Sequence, residues 1–186
     1  MQKKQSIGID IDGVIFDTVD EMLNYIGLYY NEIFSKHWIK NGLEDLPGVE
    51  DHVIRDAIDL AVKNENSKIY KDAEEVINWL SEKYNIYFIS YRHPEFFVNT
   101  VNLLNKYFKD YKLYLTTREL GKHNLIHNKD IKIYIEDDAN TIEEVSERTS
   151  CKVLVYNQFW NTDVGENEKK KRVKSWKEIR EFFERK

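Results

Sequence analysis

The sequence predicts an α/β fold: an open, parallel, Rossmann-like sheet covered by helices, with a small helical cap inserted after the first strand. Three observations predict it. Short apolar runs of strand length recur along the chain, stretches of helical periodicity lie between them, and the connection after the first run is far too long for one crossover helix.

The strands read as residues 7–11, 86–89, 113–115, 131–135 and 153–156. Each is a short run rich in Ile, Val, Leu, Phe and Tyr, and helical patterns separate them, as in βαβ units. Between Asp12 and the second strand lie roughly seventy residues, more than a simple βαβ crossover needs. Residues 18–34 and 49–63 carry apolar side chains at helical spacing, separated by the Gly42, Pro47, Gly48 region, and 72–83 reads as the ordinary crossover helix. Residues 18–67 are therefore read as the cap, and 1–17 with 68–186 as the core domain. Asn140 reads as the N-cap of a helix over 141–148. Ser175 and Glu178 form an S-x-x-E capping box before Trp176, Ile179, Phe182 and Phe183, so the chain ends in an amphipathic helix.

The totals narrow the function. A chain of 186 residues with 33% charged and 41% hydrophobic residues, two prolines and seven glycines has the composition of one globular core with an elaboration. One cysteine, Cys151, excludes an internal disulfide and fits a reducing compartment. No apolar run reaches the roughly 20 residues of a membrane span, and MQKKQSIG lacks the apolar segment of a signal peptide, so a cytoplasmic protein is expected. The net charge of -5 argues against nucleic acid as a partner. The basic run 169–174 stands alone in an acidic chain and reads as a solvated turn before the last helix.

The chemistry gathers where strands end. In IDIDGV, Asp10 and Asp12 stand two apart at the C-terminal end of the first strand, so on a regular strand both point to one face. In open α/β sheets that edge is the ligand-binding edge. Two close carboxylates need a compensating cation, and Mg²⁺ suits a few oxygen ligands completed by water and substrate phosphate. The fourth strand ends in Glu136, Asp137 and Asp138 on the same edge. Ser90 closes the second strand and Lys122 follows the third, so a hydroxyl and an ammonium join the acids. Gly13 lets the backbone turn sharply and bring amides close to an anion.

This order of parts, D-x-D-G-V followed by Asp17-Thr18, then Ser90, Lys122 and a late acidic pair, resembles the haloacid dehalogenase-like (HAD) phosphohydrolase superfamily along the whole chain. The resemblance implies a HAD core in which Asp10 is the nucleophile that forms an aspartyl phosphate and Asp12 the general acid and base. It further implies that Ser90 binds phosphoryl oxygen, that Lys122 neutralises nucleophile and phosphate, and that Mg²⁺ is held by Asp10, the backbone carbonyl of Asp12 and Asp137. Glu136 pairs with Asp137, and Asp138 is the extra acid. Gly13, Tyr91 and Arg92 are further phosphate-side candidates, although Arg92 fits a surface salt bridge nearly as well.

Within the superfamily, IDIDGV, SYR, LTTRELGK, IEDDANT and VYNQFWN resemble the 5'(3')-deoxyribonucleotidases and their bacterial relatives. That implies release of phosphate from nucleoside monophosphates, with aromatics of the cap holding the base. Phe16, Tyr29, Tyr30 and Trp38 are the candidates, each of which could instead pack the cap's own core, and exposed cap aromatics could equally mark a homodimer surface. Sugar phosphates and polynucleotide 3'-phosphates present the same dianion and stay open as substrates, as does a catalytically silent HAD-like binding scaffold. A two-component receiver domain uses similar groups, but its acidic pair comes early and it has no long insertion after strand one. His123 and His127 lack the glutamate of an H-E-x-x-H zinc motif and read as surface histidines, and Cys151 reads as a small buried hydrophobe.

Overall fold

A computed structural model describes residues 4–40 and 42–185 of the chain. The extreme ends of the core range and the first residues of MQKKQSIG lie outside the described residues. The strands are β1 (Ser6–Ile9), β2 (Asn85–Ser90), β3 (Lys112–Leu115), β4 (Ile131–Glu136), β5 (Lys152–Tyr156) and β6 (Lys170–Val173). They form one sheet in the order β3-β2-β1-β4-β5-β6, with every neighbouring pair parallel. The helices are α1 (Thr18–Tyr30), α2 (Asp51–Lys63), α3 (Ala73–Lys83), α4 (Phe97–Leu104), α5 (Lys122–Asn128), α6 (Ala139–Arg148) and α7 (Trp176–Glu184). The order reverses at β1, which lies between β2 and β4, so the ends of these three strands share one crevice.

Alternation along the strands builds a core on each face of the sheet. Ile7, Ile9, Ile133 and Ile135 face a cluster that includes Ile77, Leu80, Trp176 and Ile179, while Tyr134 and Val153 face a second one with Ile126, Ile142 and Val145. Gly8 faces Tyr134, where a Cβ would lie 2.7 Å from the ring, so its missing side chain makes room for the tyrosine. Tyr134 in turn reaches the end of its own strand, donating from its hydroxyl to Glu136 at 2.9 Å.

The long connection after β1 holds α1 and α2, which pack on each other around Met22, Leu23, Ile26, Val53 and Ala57. Asp17 caps α1 by accepting from the Asp20 amide, and Asn31 ends it in the left-handed region. The two linkers of the insertion are tied together: Glu21 accepts from Asn64, Ser67 and the Lys68 amide, and the Asp17 amide donates to the Lys68 carbonyl. Among the described residues no helix is long and apolar enough to cross a membrane.

The structure corrects several local readings. The basic run is no turn: Lys170–Val173 is the edge strand β6. Its charges are individually accommodated, Lys170 on Glu143 at 2.6 Å, Lys171 over the Phe182 ring and Arg172 on loop carbonyls, while Val173 enters the core. β1 stops at Ile9, because the chain turns at Asp10 rather than continuing to Ile11. Asp138, not Asn140, caps α6, accepting from the Thr141 amide at 2.8 Å. At α7 the Ser175 hydroxyl accepts from the Glu178 amide as anticipated, but Glu178 reaches back to the Lys174 amide, one residue beyond the cap.

Candidate active site

The site begins with a turn. The Asp10 amide still donates to Ile135 across the sheet at 2.9 Å, and then the chain folds back: Ile15 and Phe16 donate to the Ile11 carbonyl and Gly13 to Phe16. Gly13 carries a φ of +81°, and a Cβ there would sit 2.1 Å from Asp137 Oδ2. Glycine is thus required twice, by its backbone and by the acid that passes beside it.

Three buried acids converge below this turn. Asp10, Glu136 and Asp137 each offer a carboxylate oxygen within 4.8 Å of the others. Lys122, at the start of α5 and 2% exposed, places its ammonium between Asp10 and Glu136, 2.8 Å from the latter. Burial alone would lower the proton affinity of Lys122, but Asp10 and Glu136 raise it well above the usual lysine range. Glu136 accepts from Lys122, from the Tyr134 hydroxyl and from the amides of Asp137 and Asp138, so its oxygens are already engaged. Burial, with Glu136 next, pushes the Asp10 carboxyl up against the pull of Lys122. Burial, Glu136 and Asp10 push Asp137 up as well. One ammonium cannot neutralise three carboxylates, and the excess negative charge fits a divalent cation. Asp10 and Asp137 would hold it, with the Asp12 carbonyl as the remaining protein ligand the resemblance implies.

Asp12 has a different partner. Arg92 grips it through Nε at 2.9 Å and Nη2 at 2.7 Å, and Ser90 Oγ lies 3.4 Å from its Oδ2. Burial would raise the Asp12 carboxyl, but the Arg92 charge and fork hold it below the usual carboxylate value. Arg92 is no surface residue: it is 4% exposed, and its Nη1 donates to Thr100, which is itself anchored on the Phe96 carbonyl. Tyr91 lies with its ring against the Lys122 ammonium, 4.6 Å from centroid to Nζ, and accepts from the Lys122 amide. It steadies the lysine from beside the cavity, which it also lines.

Above these groups opens a cavity of about 550 Å³. Asp10, Asp12, Ser90 and Lys122 line it from the sheet, and Val19, Met22, Ile39, Leu43, Ile58 and Val62 line it from the insertion. The aromatic candidates lie elsewhere. Phe16 is fully buried in the main core against Tyr107, because the turn at Gly13 folds it inward. Trp38 stacks edge-on against Phe34, and Tyr29 and Tyr30 serve the α1–α2 end through His52 and the Glu50 amide. His123 faces Glu144 while His127 is exposed, and burial pushes the Cys151 thiol up to about 12.

The sequence reading singled out VYNQFWN, the end of β5 and the loop after it, as a resemblance only and gave its residues no role. Gln158 donates to the Gly13 carbonyl at 2.6 Å, Trp160 Nε1 to Asp137 Oδ2 at 3.0 Å and Asn161 to the Asp137 carbonyl at 2.8 Å. The signal was present: this loop leaves a parallel strand on the same edge as Asp10. Thr100 and Tyr134 were also missed; nothing local marks them, because their roles arise from packing.

No family model and no curated protein matches the chain. Solved structures do. A conserved haloacid dehalogenase-like protein of Agrobacterium tumefaciens superposes with a TM-score of 0.71 at 11% identity, covering 98% of this chain and 99% of that one. A predicted phosphoglycolate phosphatase of Haemophilus somnus gives 0.62 at 12% identity, covering 98% and 99%. A HAD-hydrolase of Bacillus subtilis bound to magnesium gives 0.61 at 10% identity, covering 98% and 100%. The fold is the Rossmann-like HAD fold.

Proposed function

We propose that the chain is a Mg²⁺-dependent phosphomonoesterase working through an aspartyl phosphate on Asp10, with nucleoside monophosphates as its substrates. The observation that carries this reading is the convergence of Asp10, Asp137 and Lys122 at the floor of a cavity whose rim holds Asp12 and Ser90.

Each residue has a task in it. A carboxylate oxygen of Asp10 attacks phosphorus, and the bond to the leaving oxygen breaks. Lys122 fixes that carboxylate and neutralises the charge gathering on the phosphoryl group, while Ser90 supplies a hydroxyl donor. Asp12 gives a proton to the leaving oxygen, then takes one from the water that cleaves the aspartyl phosphate, which restores both acids. A phosphoryl dianion beside Arg92 competes for its fork and so raises the proton affinity of Asp12, as the acid step needs. Magnesium, when bound, supplies the positive charge that lets an anionic nucleophile meet an anionic phosphate.

The roof supports the choice of substrate. Its wall of Val19, Met22, Ile39, Leu43, Ile58 and Val62 suits a leaving group with an apolar face, as a nucleoside has, whereas a glycolate-sized anion would leave it uncovered. The test is phosphate release from a panel of nucleoside monophosphates, sugar phosphates and phosphoglycolate, with Mg²⁺ and with chelator, using Asp10→Asn as control. Metal-dependent release that is fastest on nucleotides and absent from Asp10→Asn is expected. Turnover by Asp10→Asn, or turnover indifferent to chelation, would reject the mechanism, and preference for a small anionic ester would reject the substrate class.

A further inference from the structure

Trp160 belongs to two places at once. Its ring, 7% exposed, is part of the apolar cluster formed by Met22, Leu23, Ile26 and their neighbours, and among the described buried residues of that cluster it alone comes from outside 18–67. The same ring lines the cavity. Its Nε1 meanwhile donates to Asp137 Oδ2 at 3.0 Å. The acid that would hold the cation is therefore oriented by a side chain seated in the insertion.

The loop carrying the ring is fixed from behind. Gln158 and Asn161 close a reciprocal capping box, and Arg172 on β6 donates to Asn161 Oδ1 at 2.8 Å, to the Asn161 carbonyl at 2.9 Å and to the Val164 carbonyl at 2.7 Å. Asn161 also donates to the Asp137 carbonyl, so the backbone of the acid is held by the same loop as its side chain. A rigid loop transmits a shift of the ring to the carboxylate instead of absorbing it. The carboxylate, for its part, keeps lone pairs free for a cation while one oxygen accepts from the indole.

We propose that Trp160 is a positioning residue that couples the seating of the helical insertion to cation affinity, acting through Asp137. The inference rests on the metal-dependent reading above. Groups that orient metal ligands set affinity without touching the metal, and losing one typically costs about ten-fold or more. Because the ring also borders the cavity, a leaving group that presses on it and a cation on Asp137 bind with mutual effect.

The experiment titrates the unsubstituted protein and Trp160→Phe with Mn²⁺, read by electron paramagnetic resonance, with no substrate present. Phenylalanine keeps an apolar ring in the cluster and deletes the donor. A loss of Mn²⁺ affinity of about ten-fold is expected, with a far-ultraviolet circular dichroism spectrum unchanged. Should Trp160→Phe fail to fold, benzothienylalanine at position 160 replaces it, since it keeps the shape and puts sulfur where the N–H was. In a second readout, the indole N–H resonance of Trp160, identified by its loss in the variant, moves on adding Mg²⁺ while that of Trp79 stays. Equal Mn²⁺ affinity in both proteins, or an unmoved Trp160 resonance, overturns this inference and leaves the phosphatase reading standing. Absence of Mn²⁺ binding to the unsubstituted protein overturns the metal-dependent reading itself, and the inference with it.

Discussion

Arg92 and Asp12 form a two-armed ion pair across the mouth of the site, with the arginine side chain 1% exposed and the aspartate 25%. Removing one partner of such a pair leaves the other charged and poorly solvated. Arg92→Gln is therefore expected to destabilise the fold by about 2–4 kcal/mol, a range set low because Asp12 still reaches water. Arg92→Lys restores the charge without the fork, so it recovers stability in part and turnover hardly at all. Urea titration and phosphate release on both variants check this; a fully active Arg92→Lys would show that the fork does not matter.

Asp12→Asn separates acid catalysis from nucleophilic attack. If Asp12 protonates the leaving oxygen, its loss slows an alkyl phosphate by about a hundred-fold more than nitrophenyl phosphate, whose leaving group departs as an anion. The ratio kcat/KM on the two substrates reads the difference, because it excludes hydrolysis of the aspartyl phosphate they share. Equal losses would remove Asp12 from the acid role.

Why did the motifs find these groups but miss their supports? Asp10, Asp12, Ser90, Lys122 and Asp137 lie just at or after strand ends or at a helix start, where residue type and order along the chain already imply a common edge. The five apolar strands and the long insertion were legible for the same reason, since periodicity and spacing are local. Phe16 was not: whether an aromatic beside a motif lines a pocket or a core depends on the turn at Gly13, which spacing does not encode. β6 escaped because an edge strand buries little, and Lys170 needs Glu143, 27 residues away in sequence, to make burial tolerable. VYNQFWN was noticed, but the task of Trp160 and Asn161 was not, because their partner Asp137 follows another strand.

The acid cluster predicts an unusual response to pH in the metal-free protein. Asp10 and Asp137 hold protons more tightly in the fold than a free carboxyl does. Their ionisation therefore opposes folding, so stability is greatest below the ordinary carboxylate range and is lost as pH rises through the raised values. Asp12 works the other way, but its lowered value confines its loss of stability to more acid solution. Chelated protein should accordingly melt at higher temperature near pH 5 than near pH 7, the window just above the free carboxyl value of about 4. Saturating Mg²⁺ favours the ionised acids and should flatten that dependence. Calorimetric melting with and without Mg²⁺ isolates the cluster from every other carboxylate, and parallel curves would deny the acids a cation.

Gly13→Ala tests whether the turn and the acid pair are one construction. Two costs arise: an alanine in the left-handed region, and a methyl group that would lie 2.1 Å from Asp137 Oδ2. Gly48 offers a control, for it has a φ of +73° and nothing within 4 Å of where a methyl group would stand, so Gly48→Ala carries the first cost alone. Gly48→Ala is expected to destabilise by about 1–2 kcal/mol without touching cation binding. Gly13→Ala should exceed it by about 1–3 kcal/mol, the range typical of overpacking. It should also weaken Mg²⁺ binding, since the only ways to clear the methyl group are to swing Asp137 away from Asp10 or to lift the Asp10–Gly13 turn off the sheet end. Both distort the cluster on which the proposed phosphoryl transfer depends. Matching stability losses in the two alanine variants, with Mg²⁺ affinity intact in each, would mean that the close approach of Gly13 to Asp137 carries no function.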